Sequence, residues 1–527
     1  MSRPLAVWWV KRDARLADNA CLEAAHQRQL DVLPFFCFEP SLMAAEDSSD
    51  MHVHAQWQAV AGLRTTLRER GLEILIAHGE VVAKLAKLHA AIPFSHLMSH
   101  EEIGNDLTFR RDRAVAQWCR EHGVKYEEYP QSSVRRGGIN RDRLQQQWQS
   151  RIVDPVPFEV PPIHQPKHAQ QVASATGFPR LAAFAPHEPW QPVSESEAHQ
   201  TLADFLLRRG QWYRGGISSP NTAFSAGSRL SVHLAWGTIS VRQIWHAVNQ
   251  RIKALDPQDP QSVRWKLSLQ AFLSRLHWRD HFTQRLESEP ELEFRSLHPS
   301  YRTLAYENDA TLLAAWQTGQ TGYPMVDAVM RCLAETGFVN FRMRAMVTSF
   351  ACHVLHLDWR WIHPHLASVF RDYDPGIHLN QLQMQAGVVG WNTIRVYNPS
   401  KQLADWDSEC RFVKHWLPEL KGAAPEQLIR GDHVPGYVRP VVPFQERARL
   451  MTDRLYAIRR SAEAKAATPD VFLRHASRQK PRTPNPGMTK TTSKSMSKSK
   501  PKSTNKSKSS TQTRSLFEDW DLESNDE

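Results

Sequence analysis

The feature that most constrains the fold of this 527-residue chain is an alternation of short apolar and helix-like segments over its first 130 residues. The apolar segments have the length of strands: LAVWWV, DVLPFFCFEP, LEILIAHG, SHLMSHE and GVKYEEY. Helix-like stretches begin near Asn19 and cover residues 51–70 and 107–121. Because consecutive parallel strands need a crossover that is usually a helix, the alternation predicts a parallel α/β sheet covered on both faces.

The pattern changes along the rest of the chain and predicts four regions. An α/β domain occupies residues 1–130, and a connector rich in Pro, Gln, Arg and His occupies 131–193. An all-α domain occupies 194–463, where apolar residues recur every three or four positions, as in WKLSLQAFLSRLHWRDHFTQRLE. A tail rich in Lys and Ser, with an acidic end, occupies 464–527 and is predicted to be disordered.

Composition limits the classes of protein to which the chain can belong. The net charge of +11 includes the basic tail, and the modestly positive remainder is compatible with a polyanionic partner without identifying one. No apolar run reaches 18 residues, which argues against a membrane span. The six cysteines are scattered without a CxxC pair, so we predict no metal site and a reduced, cytoplasmic, monomeric protein.

The stretch AGSRLSVHLAWGTIS, residues 226–240, has two interpretations. Ser228 and Ser231 lie where a helix begins, and an N-cap alone explains them. Alternatively, their hydroxyls, the free N–H groups and Arg229 form an anion site. Further along, Arg344 is able to pair with Asp372 as a planar unit that faces a polar ring. Each feature alone is weak evidence, but their order along the chain is more specific.

Several strings together resemble the DNA photolyase/cryptochrome family. They are VWWVKRDARLADNACLEAA, GSRLSVHLAWGTIS, TGYPMVDAVMR, RVYNPSKQ and KHWLPEL, within roughly residues 5–460. The resemblance implies that the helical domain binds FAD. It also implies an antenna function for the α/β domain, with a second chromophore of unknown identity near Lys11, Glu101 and Glu102. The FAD-binding residues it implies are Tyr213, Ser228, Arg229, Leu230, Ser231, Arg344, Asp372 and Asp374.

Members of this family either repair pyrimidine dimers in UV-damaged DNA with blue light or act as blue-light receptors. Trp278 matches the tryptophan that stacks on the lesion, but Arg275 stands where the family usually has a glutamate. Asn340 and Arg342 are further candidate DNA contacts. The leading interpretation is a photolyase, a carbon–carbon lyase; the alternative is a cryptochrome-like photoreceptor without repair.

The resemblance also implies an electron route to the flavin, and this sequence departs from it. Trp359 matches the middle position and Tyr306 the outer one, but the inner position holds Leu382, which cannot be oxidised. Trp391 or Trp361 is a candidate substitute, and a core role explains both equally well. His378 aligns with the residue that faces the reactive nitrogen of the flavin, although a lone histidine is more often structural.

Overall fold

A five-stranded, all-parallel sheet forms in the first part of the chain, as the alternation predicted. The computed structural model describes residues 3–137, 143–153, 159–176 and 189–475. The strand order is β3-β2-β1-β4-β5. The strands are β1 (Leu5–Trp9), β2 (Asp31–Phe38), β3 (Leu75–His78), β4 (His96–His100) and β5 (Lys125–Tyr129).

Helices cover both faces of the sheet because successive side chains of a strand point in opposite directions. Trp8 packs into one hydrophobic core and Trp9 into another on the other face. The crossover helices are α1 (Ala20–Gln27), α2 (Pro40–Met43), α3 (Asp50–Glu69), α4 (Val81–Ala91) and α5 (Asp106–Glu121). The core that contains Trp8 also contains Trp236, so this face of the sheet packs against the helical region.

The described part of the segment predicted as a connector contains two α-helices, α6 (Leu144–Trp148) and α7 (Lys167–Ser174), and a π-helical turn (Gln149–Val153). Their apolar side chains are buried: Trp148 joins the core of the helical region, and Ala173 joins a core of the sheet. The described parts of this segment therefore contribute to both cores. Residues 138–142, 154–158 and 177–188 lie outside the described ranges.

The remaining described chain is helical. Pro or a capping side chain begins several of these helices; for example, Ser240 and Gln243 form a capping box. The helices are α8 (Glu195–Asp204), α9 (Tyr213–Gly216), α10 (Ala223–Ala226), α11 (Ser231–Ala235), α12 (Val241–Lys253), α13 (Gln261–Ser288), α14 (Ala310–Gln317), α15 (Pro324–Thr336), α16 (Phe341–His353), α17 (Trp359–Val369), α18 (Pro375–Gln385), α19 (Pro399–Trp406), α20 (Arg411–Trp416), α21 (Pro425–Arg430), α22 (Phe444–Arg460) and α23 (Ala462–His475).

The end of the helical region corrects one predicted boundary. The tail was expected to start at residue 464, but α23 continues to His475, whose side chain is buried. Arg285 of α13 donates to the His475 carbonyl over 2.8 Å, which ties this helix to the core. The sequence did not reveal this boundary, because only three residues of α23 are buried and the helix therefore lacks a clear apolar pattern. Residues 476–527 lie outside the described ranges. None of the described helices combines the length and apolarity needed to cross a bilayer.

Candidate active site

Arg344 and Asp372 form a planar, two-point ion pair at the centre of the candidate site. The two terminal nitrogens of Arg344 donate to the two carboxylate oxygens of Asp372 over 2.9 and 3.1 Å. Its Nε donates to the Val339 carbonyl over 3.0 Å, which fixes the plane of the guanidinium. Burial alone would raise the pKa of Asp372, but Arg344, a hydrogen bond from Ser231 and the charge of Arg229 hold it below its usual range. Asp372 therefore remains charged beside Arg344.

The loop before α11 is not explained by helix capping. Arg229 has a φ of +60°, in the left-handed region, and its guanidinium lies 3.8 Å from the ring centroid of Phe338. Its Nη1 is buried without a hydrogen-bond partner, and burial lowers the pKa of Arg229 to about 10. Leu230 occupies the N-cap position of α11, and no side chain caps that helix. Ser231 is exposed, so its hydroxyl is accessible beside the loop.

Neighbouring residues hold this loop in place. Arg209 donates to the carbonyl of Gly227, the residue at which α10 ends and the loop starts. Tyr213, which begins α9, is buried and packs edge-to-face on Phe205 and Phe272 at centroid distances of 5.8 and 5.4 Å. The predicted residues Tyr213, Ser228 and Arg229 are thus supported from α13 and from the segment that precedes α9.

Helix α18 supplies a second wall. Asp374 caps it by accepting from the backbone nitrogens of Gly376 and Ile377 over 3.1 and 3.4 Å. One turn later His378 is buried, and its Nε2 has no hydrogen-bond partner. Burial and the nearby charges of His363 and Arg344 lower the pKa of His378 well below its usual value. The imidazole is therefore neutral at physiological pH.

Helix α13 supplies a third wall and a residue that the sequence reasoning missed. Arg275 and Trp278 are both half-buried on this helix. The next residue, Arg279, donates to Asp374 over 3.1 Å and to Asp280 over 3.2 Å, which joins α13 to the start of α18. The position of Arg279 directly after Trp278 could have marked it as a site residue. Its partner Asp374, however, lies 95 residues away in the sequence, and only the fold brings the two together.

The two further candidate DNA contacts differ in exposure. Asn340 is buried, and its Nδ2 donates to the carbonyls of Ile217 and Ser218 over 3.0 and 2.7 Å. It therefore holds the segment after α9 rather than facing solvent. Arg342 is half-buried, with its guanidinium 4.4 Å from the ring centroid of Trp406.

Two residues of the expected electron route, Leu382 and Trp359, are buried side chains of the helical region. Leu382 lies one turn after His378 on α18 and is buried. Trp359 is fully buried, and its Nε1 donates to Ser296 Oγ over 3.3 Å. The Tyr306 hydroxyl is buried without a partner, and burial raises its pKa well above the usual value.

The two alternative tryptophans occupy different environments. Trp391 is half-buried against the main helical core, and the buried Arg285 guanidinium lies 5.6 Å from its ring centroid. Trp361 is 44% exposed. Because Arg285 also donates to Asn380 of α18 over 2.8 Å, Trp391 is connected to the wall that carries His378. Trp361 has the environment of a surface residue.

The expected second site corresponds to a cleft at the carboxyl ends of the strands. Lys11 and Glu102 line it, whereas Glu101 is not among the described residues that do. Ion pairs fill much of this cleft: Lys11 with Asp112 at 2.9 Å, and Arg111 with Glu102 at 2.6 Å. Its free volume of about 80 Å³ is small beside the roughly 300 Å³ at which ligand pockets usually begin.

Within the described residues, one group of three side chains has the types and spacing of metal ligands: Asp13, Cys21 and His100. His100 Nδ1 lies 2.7 Å from Asp13 Oδ2 and 3.6 Å from Cys21 Sγ. Asp13 also accepts from Trp8 Nε1 over 3.0 Å and from the backbone nitrogen of Lys11 over 2.7 Å. Both carboxylate oxygens are thus engaged: Oδ2 joins the end of β1 to His100 of β4, and Oδ1 accepts from the local backbone.

Buried polar atoms without hydrogen-bond partners indicate whether the site suits a polar cofactor. Arg229 Nη1, His378 Nε2 and Asn340 Oδ1 lack hydrogen-bond partners. All three residues adjoin the Arg344–Asp372 pair, and because buried polar atoms normally find partners, this place suits a ligand with polar groups. An anion suits Arg229, and a heterocycle with donors and acceptors suits the planar Arg344–Asp372 pair. The residues therefore fit a flavin dinucleotide.

Comparison with known proteins agrees with this geometry. Residues 6–141 match the family model described as DNA photolyase, and residues 272–457 match the FAD-binding domain of DNA photolyase. A deoxyribodipyrimidine photo-lyase of Synechococcus is 26% identical, over 84% of this chain and 94% of its own. A cryptochrome DASH of Solanum lycopersicum is 27% identical, over 84% of this chain and 81% of its own.

A solved structure shares the fold. An archaeal photolyase from Sulfolobus tokodaii, with two FAD molecules, aligns with a TM-score of 0.67 and 25% identity over 86% of this chain and all of its own. The two family models together cover more than half of the chain, in the order that the sequence motifs predicted. The chain therefore belongs to the DNA photolyase/cryptochrome family.

Proposed function

We propose that this protein binds FAD and uses blue light to split pyrimidine dimers in UV-damaged DNA. The observation that carries the proposal is the Arg344–Asp372 pair surrounded by buried polar atoms without partners. When bound and reduced, FAD supplies a light-excited electron for the dimer. The chain's own residues bind and orient the two reactants and exclude water from them.

The cofactor-binding roles follow from position and charge. Arg229, with Ser228 and Ser231 beside it, binds the diphosphate as a cation with accessible hydroxyls. Arg344 and Asp372 present donors and acceptors to the flavin ring. Asp374 accepts a hydrogen bond from a ribose hydroxyl while it caps α18. Leu230 and Tyr213 pack beside the loop that precedes α11. His378 stays neutral and offers either a donor or an acceptor nitrogen to the ring, depending on its tautomer.

The DNA-facing roles belong to α13. Trp278 stacks on a base that has been flipped out of the duplex, as aromatic side chains do in other proteins that extrude bases. Arg275 cannot accept a hydrogen bond from the base as a glutamate does, so we assign it to the phosphate or to charge that develops on the lesion. Arg342 lies at the rim, and Asn340 acts by positioning the segment after α9.

A repair assay tests the proposed function. The reduced protein is illuminated with blue light beside DNA that carries cyclobutane dimers or, separately, (6-4) lesions, and the remaining lesions are counted against a dark control. We expect light-dependent loss of one lesion type, and at least a tenfold lower rate for Trp278→Ala. Absence of loss for both lesions, with FAD bound and photoreducible, would contradict repair and favour the photoreceptor alternative.

We further propose that Trp391 replaces the missing inner tryptophan of the electron route. Its contact with Arg285 and the link from Arg285 to Asn380 connect it to α18, whereas Leu382 blocks the usual position. Trp391→Phe is expected to slow photoreduction of the bound flavin at least tenfold, because phenylalanine is much harder to oxidise. Loss of absorbance near 450 nm under illumination with a reductant measures the rate. Trp361→Phe is the matched control. Equal photoreduction rates in the two variants would show that Trp391 has a packing role only.

For the second chromophore we propose the cleft at the strand ends, where Lys11 and Glu102 lie. A bicyclic or tricyclic ring needs several times the present free volume, so binding requires the Arg111 ion pairs to rearrange. The chromophore content of the purified protein, determined after its release by denaturation, tests this: a second chromophore alongside FAD supports the site, and FAD alone contradicts it.

A further inference from the structure

Tyr373 lies in the sequence between two residues that we assign to the flavin, Asp372 and Asp374, but its own side chain has no role in the site described so far. It is buried, and its ring meets that of His378 edge-to-face at a centroid distance of 5.3 Å. On its other side it stacks on His52 at a centroid distance of 5.8 Å. The Tyr373 ring is therefore in contact with the imidazole that we assign to the flavin ring.

The hydroxyl of Tyr373 is paired with a carboxylate. It donates to Asp47 Oδ2 over 2.8 Å, and Asn105 Nδ2 donates to the same oxygen over 2.9 Å, which fixes the position of that carboxylate. Burial and the charge of Asp47 raise the pKa of Tyr373 well above its usual value. The side chain is therefore a neutral phenol whose proton already points at a base.

A base beside the hydroxyl is what a tyrosine needs to be oxidised. Removing an electron from a phenol makes its hydroxyl strongly acidic, so the oxidation is accessible only where a base within hydrogen-bond reach takes the proton. Tyr306, the tyrosine at the outer position of the expected electron route, has a buried hydroxyl without a partner. Of these two tyrosines, only Tyr373 has the environment of a redox-active side chain.

The aromatic neighbours of Tyr373 carry no charge that opposes its oxidation. Burial lowers the pKa of His52 to about 4, and burial together with the charges of His363 and Arg344 lowers the pKa of His378 well below its usual value. Both imidazoles are therefore neutral at physiological pH. A cation in either position would disfavour the loss of an electron from the ring between them.

We propose that Tyr373 is a proton-coupled electron donor to the light-excited, oxidised flavin, with Asp47 as its proton acceptor. The O–H bond of Tyr373 breaks, the proton moves to Asp47 Oδ2, and one electron passes to the flavin past His378. A neutral phenoxyl radical and a neutral Asp47 carboxyl group remain. One electron from a thiol reductant, with return of the proton from Asp47, restores the tyrosine. The inference rests on the proposed function for its FAD, but it requires no DNA.

This donor differs from Trp391 in its access to solvent. Tyr373 is buried, whereas Trp391 is only half-buried. A reductant in solution therefore restores Tyr373 slowly, and this side chain supplies one electron after a flash rather than a continuous supply. Sustained photoreduction still depends on Trp391, but the first electron from Tyr373 does not.

The test looks for a tyrosyl radical after one flash of blue light. Protein with bound, oxidised FAD and without added reductant is followed by time-resolved electron paramagnetic resonance. Deuteration of the tyrosine rings narrows the signal of a tyrosyl radical and so distinguishes it from a tryptophanyl radical. We expect a tyrosyl radical in the unmodified protein, and a yield at least tenfold lower in Tyr373→Phe. The radical is expected to form at least twofold more slowly in D₂O, and an unchanged rate would contradict proton transfer.

Asp47→Asn tests the acceptor without changing the packing of the ring. The asparagine oxygen still accepts a hydrogen bond from the hydroxyl but does not take up its proton, so we expect a radical yield at least fivefold lower. This variant also decides the question if Tyr373→Phe fails to fold or to retain flavin. An unchanged yield in Asp47→Asn would overturn the inference.

The matched control is Tyr437→Phe. The Tyr437 hydroxyl also donates to a buried carboxylate, that of Asp327 on α15, which is not among the residues assigned to the flavin. We expect the full radical yield in this variant. Equal losses in Tyr437→Phe and Tyr373→Phe would overturn the inference. Loss of the radical in Trp391→Phe would also overturn it, because the electron would then leave Trp391 first.

The same measurements separate this inference from the proposed function. Flavin-loaded protein that repairs a lesion but forms no Tyr373 radical would reject the inference alone. A Tyr373 radical in protein that repairs neither lesion would reject repair alone. Protein that purifies without flavin and does not bind added FAD would reject both.

Discussion

Asp372→Ala is expected to yield protein that purifies without flavin. The substitution removes the only carboxylate that pairs with Arg344 among the described residues and leaves that guanidinium beside a second cation, Arg229. Removing one partner of a buried pair typically costs about 3–5 kcal/mol, through the charge that remains unpaired. The ratio of flavin absorbance near 450 nm to protein absorbance near 280 nm measures the effect.

Two controls separate cofactor binding from general damage. Asp432→Ala removes an exposed carboxylate that pairs with Arg430, and it should retain full flavin, since surface pairs contribute about 0–1 kcal/mol. Asp372→Asn keeps the shape and one acceptor but loses the charge, so we expect weakened retention. A stoichiometric flavin content in Asp372→Ala would refute the assignment of this pair to the cofactor.

Gly237→Ala is expected to destabilise the folded protein by about 2–5 kcal/mol, from a left-handed penalty of about 1–2 kcal/mol and an overpacking cost of about 1–3 kcal/mol. Gly237 has a φ of +68°, and an added Cβ would lie 1.7 Å from the Arg12 carbonyl oxygen. That contact is with backbone, so no side-chain rotation relieves it. Arg12 also donates to the Tyr373 carbonyl over 2.9 Å, next to Asp372, so we expect weaker flavin retention as well.

Gly431→Ala is the matched control. Gly431 has a φ of +76°, but nothing lies within 4 Å of the added Cβ, so only the left-handed backbone penalty applies, about 1–2 kcal/mol. Urea denaturation of both variants with flavin bound measures the two free energies of unfolding. Equal losses of free energy in both variants would show that glycine is required at position 237 only for the left-handed turn. The close contact between the sheet and the helical region would then not require it.

The fold of the first region was predictable because it depends on local patterns. Apolar runs of strand length that alternate with amphipathic segments have one low-energy arrangement, a parallel sheet between helices, and the observed strands follow the predicted segments. The end of α23 was not predictable, because that helix buries few side chains and its polar sequence continues into the tail.

The candidate site was partly predictable. The pairing of Arg344 with Asp372 followed from matched charge and geometry within one helical region, and their spacing of 28 residues is bridged by α16 and α17. The link between Arg279 and Asp374 was missed, because 95 residues separate them and Arg279 has a nearer carboxylate, that of Asp280. The burial of Asn340 was also missed, since a polar residue before a helix is usually exposed.

The sequence by itself determined the strands and the parallel sheet of the first region and the motifs that identify the family, because these depend on local periodicity and on short strings of residues. Only the tertiary structure decided which polar atoms are buried without partners and which tryptophan is linked to α18. These properties depend on distances between residues far apart in the chain. Packing of α13 against α18 and the segment around α9 sets those distances, and no local pattern encodes them.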